Sequence, residues 1–182
     1  MDALRIIKRY YPVDSKAFEV LLTHSKLVAR KAREIARRVP ELHPDLEFIE
    51  QAAMLHDIGI FLTCAPRLGC DGDKDYICHG YLGRELLDKE RLPRHALVCE
   101  RHTGVGLTLA DIERQNLPLP KRDMVPISIE EQIICFADKF FSKKPEKLEH
   151  EKTVEEVRKY LSKFGQASVD RVAEWCRQFR EI

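Results

Sequence analysis

The stretch Ala52-Ala53-Met54-Leu55-His56-Asp57-Ile58-Gly59 ends an apolar helical run in an adjacent His and Asp and closes it with a Gly. On a helical period Ile49, Ala52, Ala53 and His56 share one face, so His56 points into an interior. Asp57 falls about 100° further round at the helix end, where Gly59 is expected to take the left-handed closing conformation. Burying an imidazole beside a carboxylate is costly unless something pairs with both, and a divalent metal would do so. The plain alternative is a surface His-Asp pair that follows a core helix by chance. The rest of the chain decides between the two.

The same anomaly, an ionisable group inside an apolar stripe, occurs twice more. From Lys16 to about Val39, behind an N-capping Ser15, the residues Val20, Leu21, His24, Leu27, Val28 and Ile35 line one helical face. Lys26, Arg30, Arg33 and Arg37 lie mostly elsewhere, as the wet face of an amphipathic helix. Later, Ser128 and Glu131 read as a capping box for a helix running to about Ser142, with Ile127, Ile134, Asp138 and Phe141 on its buried face. Between these helices, His79 opens a helix and Pro93 begins another, whose last turn carries His102 before Gly104 and Gly106. The segment 61–78 has no clear period and reads as a long loop.

Outside this region, residues 2–10 form a short amphipathic helix, and Thr108 with Asp111 caps another. His43, between Pro40 and Pro44, and His150, in the charged stretch 143–152, read as solvated. Thr153 with Glu156, and then Ser168, start two final helices. No alternating strand pattern stands out. The expectation is an all-α bundle of eight or nine helices. Residues 1–145 form its main domain, and 146–182 form a helical extension packed on it.

The chain has 182 residues, 34% of them charged, with 31 basic against 30 acidic residues and a formal charge of +1. Such a balance provides no global attraction to nucleic acid or to an anionic membrane, and no nucleic-acid partner is expected. No apolar run approaches the roughly 20 residues of a membrane span. The first ten residues lack the apolar core of a signal peptide, so a cytoplasmic location is expected. None of the six cysteines forms a CxxC pair. Cys99, Cys135 and Cys176 read as small core residues, whereas Cys64, Cys70 and Cys78 share a loop at spacings that fit no standard zinc pattern.

The ordered set His24, His56-Asp57, Asp138 on helices resembles the HD superfamily of metal-dependent phosphohydrolases. The string His56-Asp57-Ile58-Gly59 matches the superfamily's HDIG signature. Within the superfamily, the chain is most similar to small stand-alone HDIG proteins and more remotely to the bacterial HD hydrolases of diadenosine tetraphosphate. Two-metal subfamilies carry two further histidines between the HD pair and the last Asp. His79 and His102 stand there, in His79-Gly80-x-x-Gly83 and Arg101-His102-Thr103-Gly104. Cyclic-dinucleotide phosphodiesterases of the superfamily carry a lysine directly after HDIG, where this chain has Ile60. It also lacks their GYP signature, so that substrate class is not assigned.

Six imidazole and carboxylate ligands exceed what one tetrahedral zinc uses and suit two octahedral ions with open positions, which favours Fe or Mn. On this reading His24, His56, Asp57 and Asp138 hold one ion, and His79 and His102 hold a second that Asp57 bridges. The expected activity is hydrolysis of a phosphoester or phosphoanhydride in a nucleotide or small phosphorylated metabolite by a dinuclear-metal-activated water. Asp57 and Lys139 are the expected catalytic residues. Lys139 and Arg101, followed by Arg84, are the expected cations for substrate phosphate; Arg67 and Lys74 sit in the loop 61–78, which could close over the site. Two other classes fit the same ligands: a mixed-valent di-iron oxygenase of HD type, and a metal-binding HD protein without catalysis. An oligomer is compatible with the sequence.

Overall fold

Side-chain caps set most of the helix starts. In the computed structural model, which describes residues 1–181, Asp2 caps α1 (Ala3–Tyr10), Ser15 caps α2 (Lys16–Arg38) and Asp45 caps α3 (Leu46–Leu55). Each capping side chain accepts the N–H three residues on, which satisfies one of the orphaned donors of a first turn. Then come α4 (His79–Lys89) and α5 (Pro93–Arg101), the latter with its proline in the first turn, where no N–H is needed. After them follow α6 (Leu109–Arg114), α7 (Ile129–Asp138), α8 (Val154–Leu161) and α9 (Gln166–Gln178). Thr108 and Thr153 form complete capping boxes with Asp111 and Glu156. The all-α class expected from the sequence is the class observed.

Two apolar clusters meet at the end of α3. One gathers Val28, Ala32 and Ile35 of α2, Ile49, Ala52 and Ala53 of α3, Ile133 and Phe136 of α7, and Trp175 and Phe179 at the C-terminus. The other gathers Ile6, Ile7 and Tyr11, Phe18 and Leu21 of α2, then Leu55, Ile58 and Ile60, then Leu87, Ala96 and Cys99. Fully burying the valine, leucine, isoleucine and phenylalanine side chains among them contributes about 1.5–3 kcal/mol each before entropy is counted. Because Ala53 belongs to one cluster and Leu55 to the other, the residues that follow are fixed between two cores.

Several local expectations are corrected. Gly59 is not among the residues of positive φ, so it is not a left-handed cap. The chain continues instead as a 3-10 turn over Ile58–Leu62. What Gly59 provides is close approach: a Cβ there would lie 2.2 Å from the His79 carbonyl oxygen and 2.4 Å from the Gly83 nitrogen. The segment 61–78 is not a featureless loop. It folds as β1 (Cys64–Ala65) antiparallel to β2 (Cys70–Asp71), with 3-10 turns at Pro66–Leu68 and Tyr76–Cys78. Its period was unreadable because the strands are two residues long. Helix α7 ends at Asp138, not near Ser142, and the chain turns there through Phe140 N–H to Ala137 O and Phe141 N–H to Asp138 O, both at 3.2 Å. Ile127 precedes that helix and is 69% exposed rather than buried. Ser128 caps the Glu131 N–H, but the Glu131 carboxylate accepts from Ile127 N–H at 2.7 Å and so forms no reciprocal box. Finally, α9 starts at Gln166 behind Gly165, whose φ of 103° a side chain would resist.

Candidate metal centre

All six expected ligands come together. His24 comes from α2, His56 and Asp57 from the turn after α3, His79 from the first residue of α4, His102 from the residue after α5, and Asp138 from the last residue of α7. All are buried. One donor atom from each of His24, His56, Asp57 and Asp138 lies within 4.8 Å of the others, and the same holds for Asp57, His79 and His102. Asp57 Oδ2 faces His24 Nε2 at 3.3 Å and His56 Nε2 at 3.0 Å, while its Oδ1 faces His79 Nε2 at 3.4 Å and His102 Nε2 at 3.2 Å. Asp138 Oδ1 completes the first group, 2.9 Å from His24 Nε2 and 3.5 Å from His56 Nε2.

One local device aims three of the imidazoles. His56 Nδ1 lies 2.6 Å from Ala53 O, His79 Nδ1 lies 2.7 Å from Tyr76 O, and His102 Nδ1 lies 2.7 Å from Cys99 O. A carbonyl oxygen only accepts, so each Nδ1 carries a hydrogen, and each ring in its neutral form, the form that binds metal, presents a bare Nε2 lone pair. Those lone pairs point at carboxylate oxygens and at one another: His79 Nε2 and His102 Nε2 are 3.1 Å apart. His56 Nε2 and both oxygens of Asp57 have no hydrogen-bond partner. Buried acceptors facing acceptors are costly, and a divalent cation among them removes that cost. His24 differs in that its Nδ1 has no partner. The donor set fits divalent metal.

The protein field shows the same tension. Burial works against the charged form of His56, but the Asp57 and Asp138 carboxylates overcome it and raise His56 to about 9, so that a proton on this ring balances the carboxylates where a metal cation otherwise would. Burial lowers His79 to about 3, because Asp57 does not compensate. Burial alone would raise both carboxyls, yet His56 and Lys143 hold Asp57 well below the usual carboxylate range, and Lys139 and Lys143 do the same for Asp138.

Two lysines touch the cluster. Lys139 Nζ lies 2.7 Å from Asp138 Oδ2 and donates to His102 O at 3.0 Å, so it binds a residue of one group to the backbone of the other. Lys143 Nζ lies 2.7 Å from Asp57 Oδ2 and 3.7 Å from Asp138 Oδ1, beside the Tyr76 phenol. Tyr76 in turn stacks on the His79 ring at 4.8 Å.

The HD domain family matches residues 21–143. The chain belongs to the HD-domain family. All six cluster residues lie within the matched HD segment. Among its relatives are the tRNA (cytidine(56)-2'-O)-methyltransferases of Picrophilus torridus, 34% identical over 127 residues, and Thermoplasma volcanium, 32% identical over 127 residues. In each case 69% of this chain matches 33% of the relative. An uncharacterised protein of Methanocaldococcus jannaschii is 33% identical over 126 residues, which are 66% of this chain and 65% of that protein. The chain therefore spans about a third of the length of the two methyltransferases. No solved structure matches it.

Around the HD site, the cations expected for substrate phosphate are placed unevenly. Arg84 pairs with the buried Glu100 and lies 3.5 Å from Asp88, and Arg122 reaches the other oxygen of Glu100. Arg101 donates to both oxygens of Glu131 at 3.0 Å. Both guanidiniums are engaged by carboxylates outside the six-residue cluster. Lys74 pairs with Asp73 on the surface. Lys143 was missed, because the sequence places it in a charged linker. The compact turn at 139–141, held by Lys152 Nζ on Lys139 O at 2.8 Å and Phe141 O at 3.2 Å, sends it back to the cluster. The one available signal was its closeness in sequence to Asp138. Among the described residues no cysteine joins a metal-ligand cluster, and no helix is long and apolar enough to cross a membrane.

Proposed function

We propose that this HD domain is a metal-dependent phosphohydrolase acting on a phosphoester or phosphoanhydride of a nucleotide or other small phosphorylated metabolite. The observation that carries the reading is the convergence of imidazole lone pairs, fixed by their own backbone carbonyls, on the unpartnered oxygens of Asp57. His24, His56, Asp57 and Asp138 would hold one divalent ion; Asp57, His79 and His102 would hold a second, with Asp57 shared. Six nitrogen and oxygen ligands without thiolate favour Fe or Mn. The chemistry such ions would supply there is a water acidified toward neutrality and an offset of charge on phosphoryl oxygens.

The chain's own residues do the rest. Lys139 fixes the Asp138 carboxylate by one oxygen and leaves Oδ1 facing His24 and His56. Its place is inward, so its role is to position Asp138 rather than to meet substrate. The chain matches only 33% of the two methyltransferases, and its own buried cluster of imidazoles and carboxylates, which could hold metal, supports the hydrolase reading. The reading is tested by metal analysis of the purified protein, followed by assay of phosphate release from nucleotides, dinucleoside polyphosphates and cyclic phosphates with Mn(II) or Fe(II). Release that depends on metal and on Asp57 is expected. Oxygen consumption with an iron EPR signal and no phosphate release would move the chain to the oxygenase class.

A further inference from the structure

Lys143 sits at the edge of the cluster with 16% of its side chain exposed, against 9% for Lys139, and it faces both Asp57 and Asp138 where Lys139 faces only Asp138. It pairs closely with Asp57 Oδ2 at 2.7 Å and only loosely with Asp138 Oδ1 at 3.7 Å. An ammonium carries three donors, and one close carboxylate does not use them all, so an anionic oxygen at the mouth of the site can take another. Charge balance says which acceptor. With metal bound the imidazoles are neutral, and Lys139 and Lys143 offset Asp57 and Asp138, so the full charge of the divalent ions would be presented to the ligand. A dianionic phosphoryl group gains more from that field than a singly charged phosphodiester, by the charge dependence of Coulomb attraction.

We propose that Lys143 is a substrate-binding residue that takes a phosphoryl oxygen at the mouth of the site, and that the site is matched to a dianionic phosphoryl group, a phosphomonoester or the terminal phosphate of a polyphosphate, rather than a phosphodiester. This rests on the hydrolase reading. It gives Lys143 the role that the sequence assigned to Lys139, Arg101 and Arg84.

The test uses the full chain loaded with Mn(II), with inorganic phosphate and dimethyl phosphate as probes. Calorimetry gives Mn(II) affinity first and then the affinity of each anion, for wild type, Lys143→Met and Lys143→Arg. The expected wild type binds inorganic phosphate about tenfold or more tighter than dimethyl phosphate. Lys143→Met is expected to lose most of that preference while keeping or tightening its Mn(II) binding, and Lys143→Arg is expected to restore the preference. A preference that survives in Lys143→Met, or equal binding of the two anions by wild type, overturns the inference and leaves the hydrolase reading intact. Weakened Mn(II) binding in Lys143→Met also overturns it, because Lys143 would then be a support of the cluster. A wild type that takes up no Mn(II), Fe(II) or other divalent ion overturns the hydrolase reading and this inference together.

Discussion

Asp57 is the one side chain shared by both ligand groups, with Oδ2 in the first and Oδ1 in the second. Asp57→Ala is therefore expected to abolish phosphate release and to remove most bound metal, read by elemental analysis of the variant and wild type side by side. A variant that retained its full metal load would refute the shared role. His95, away from the cluster, sets a pH dependence. Its ring packs edge-on against Phe48 at 4.8 Å, its Nε2 has no partner, and burial, reinforced by Arg94, lowers it to about 4 from 6.5. Between those two values the unfolded chain binds the proton that the folded chain refuses. Stability from this group is intact above about 6.5 and falls as pH drops toward about 4. His95→Gln should reduce the proton uptake on unfolding in that window by about one, measured by urea denaturation across the range. Which residues were legible follows from their surroundings. His24 and Asp138 stood out because an ionisable group in an apolar stripe is anomalous. Lys143 stood among Lys144, Lys147 and several glutamates, where a functional lysine and a solvated one look alike, and only the fold of the 139–141 turn separates them.

At the scale of elements, the cluster exists because backbones come unusually close. Gly59 lies against the start of α4, and a Cβ on Gly80 would lie 2.8 Å from Cys99 O on α5, so small residues draw the turn after α3, α4 and α5 into one seam. Both atoms that a Cβ at position 59 would meet most closely are backbone and cannot rotate away. Gly59→Ala should cost more than about 3 kcal/mol, or misplace His79 and lower the metal content per chain. Thermal unfolding and elemental analysis of the same sample separate these effects. The HDIG string was legible, but the reason for its glycine was not, since a close approach between segments twenty residues apart leaves no local signature. The segment 61–78 was illegible for a related cause: its hairpin is held by contacts such as Cys64 N–H to Lys74 O at 2.7 Å, and short strands carry no countable alternation. The pairing of Arg101 with Glu131 is of the same kind, a partnership between α5 and α7 that no helical wheel displays.

For the whole molecule, the C-terminal helices share the core of the matched domain. Phe136 packs on Trp175 and Phe179 with ring centroids 5.9 and 5.6 Å apart, and the buried Lys31 of α2 bonds Glu181 at 2.6 Å and Glu151 at 2.8 Å. A chain cut after residue 145 should expose Phe136 and Phe140 and fail to give a cooperative thermal transition by circular dichroism. Trp175 is the single tryptophan and is buried, so its fluorescence reports global unfolding. Mn(II) at about a hundred times its dissociation constant should stabilise the wild type by about 2.7 kcal/mol for each ion bound, read on that signal, and leave Asp57→Ala unchanged. The three imidazoles that clasp a carbonyl three residues back take their orientation from their own stretch of chain, and those stretches are set by packing that a cation does not touch. A chelator should accordingly strip the protein without unfolding it, and repeated cycles of emptying and refilling should return the same stoichiometry, as from a rigid socket.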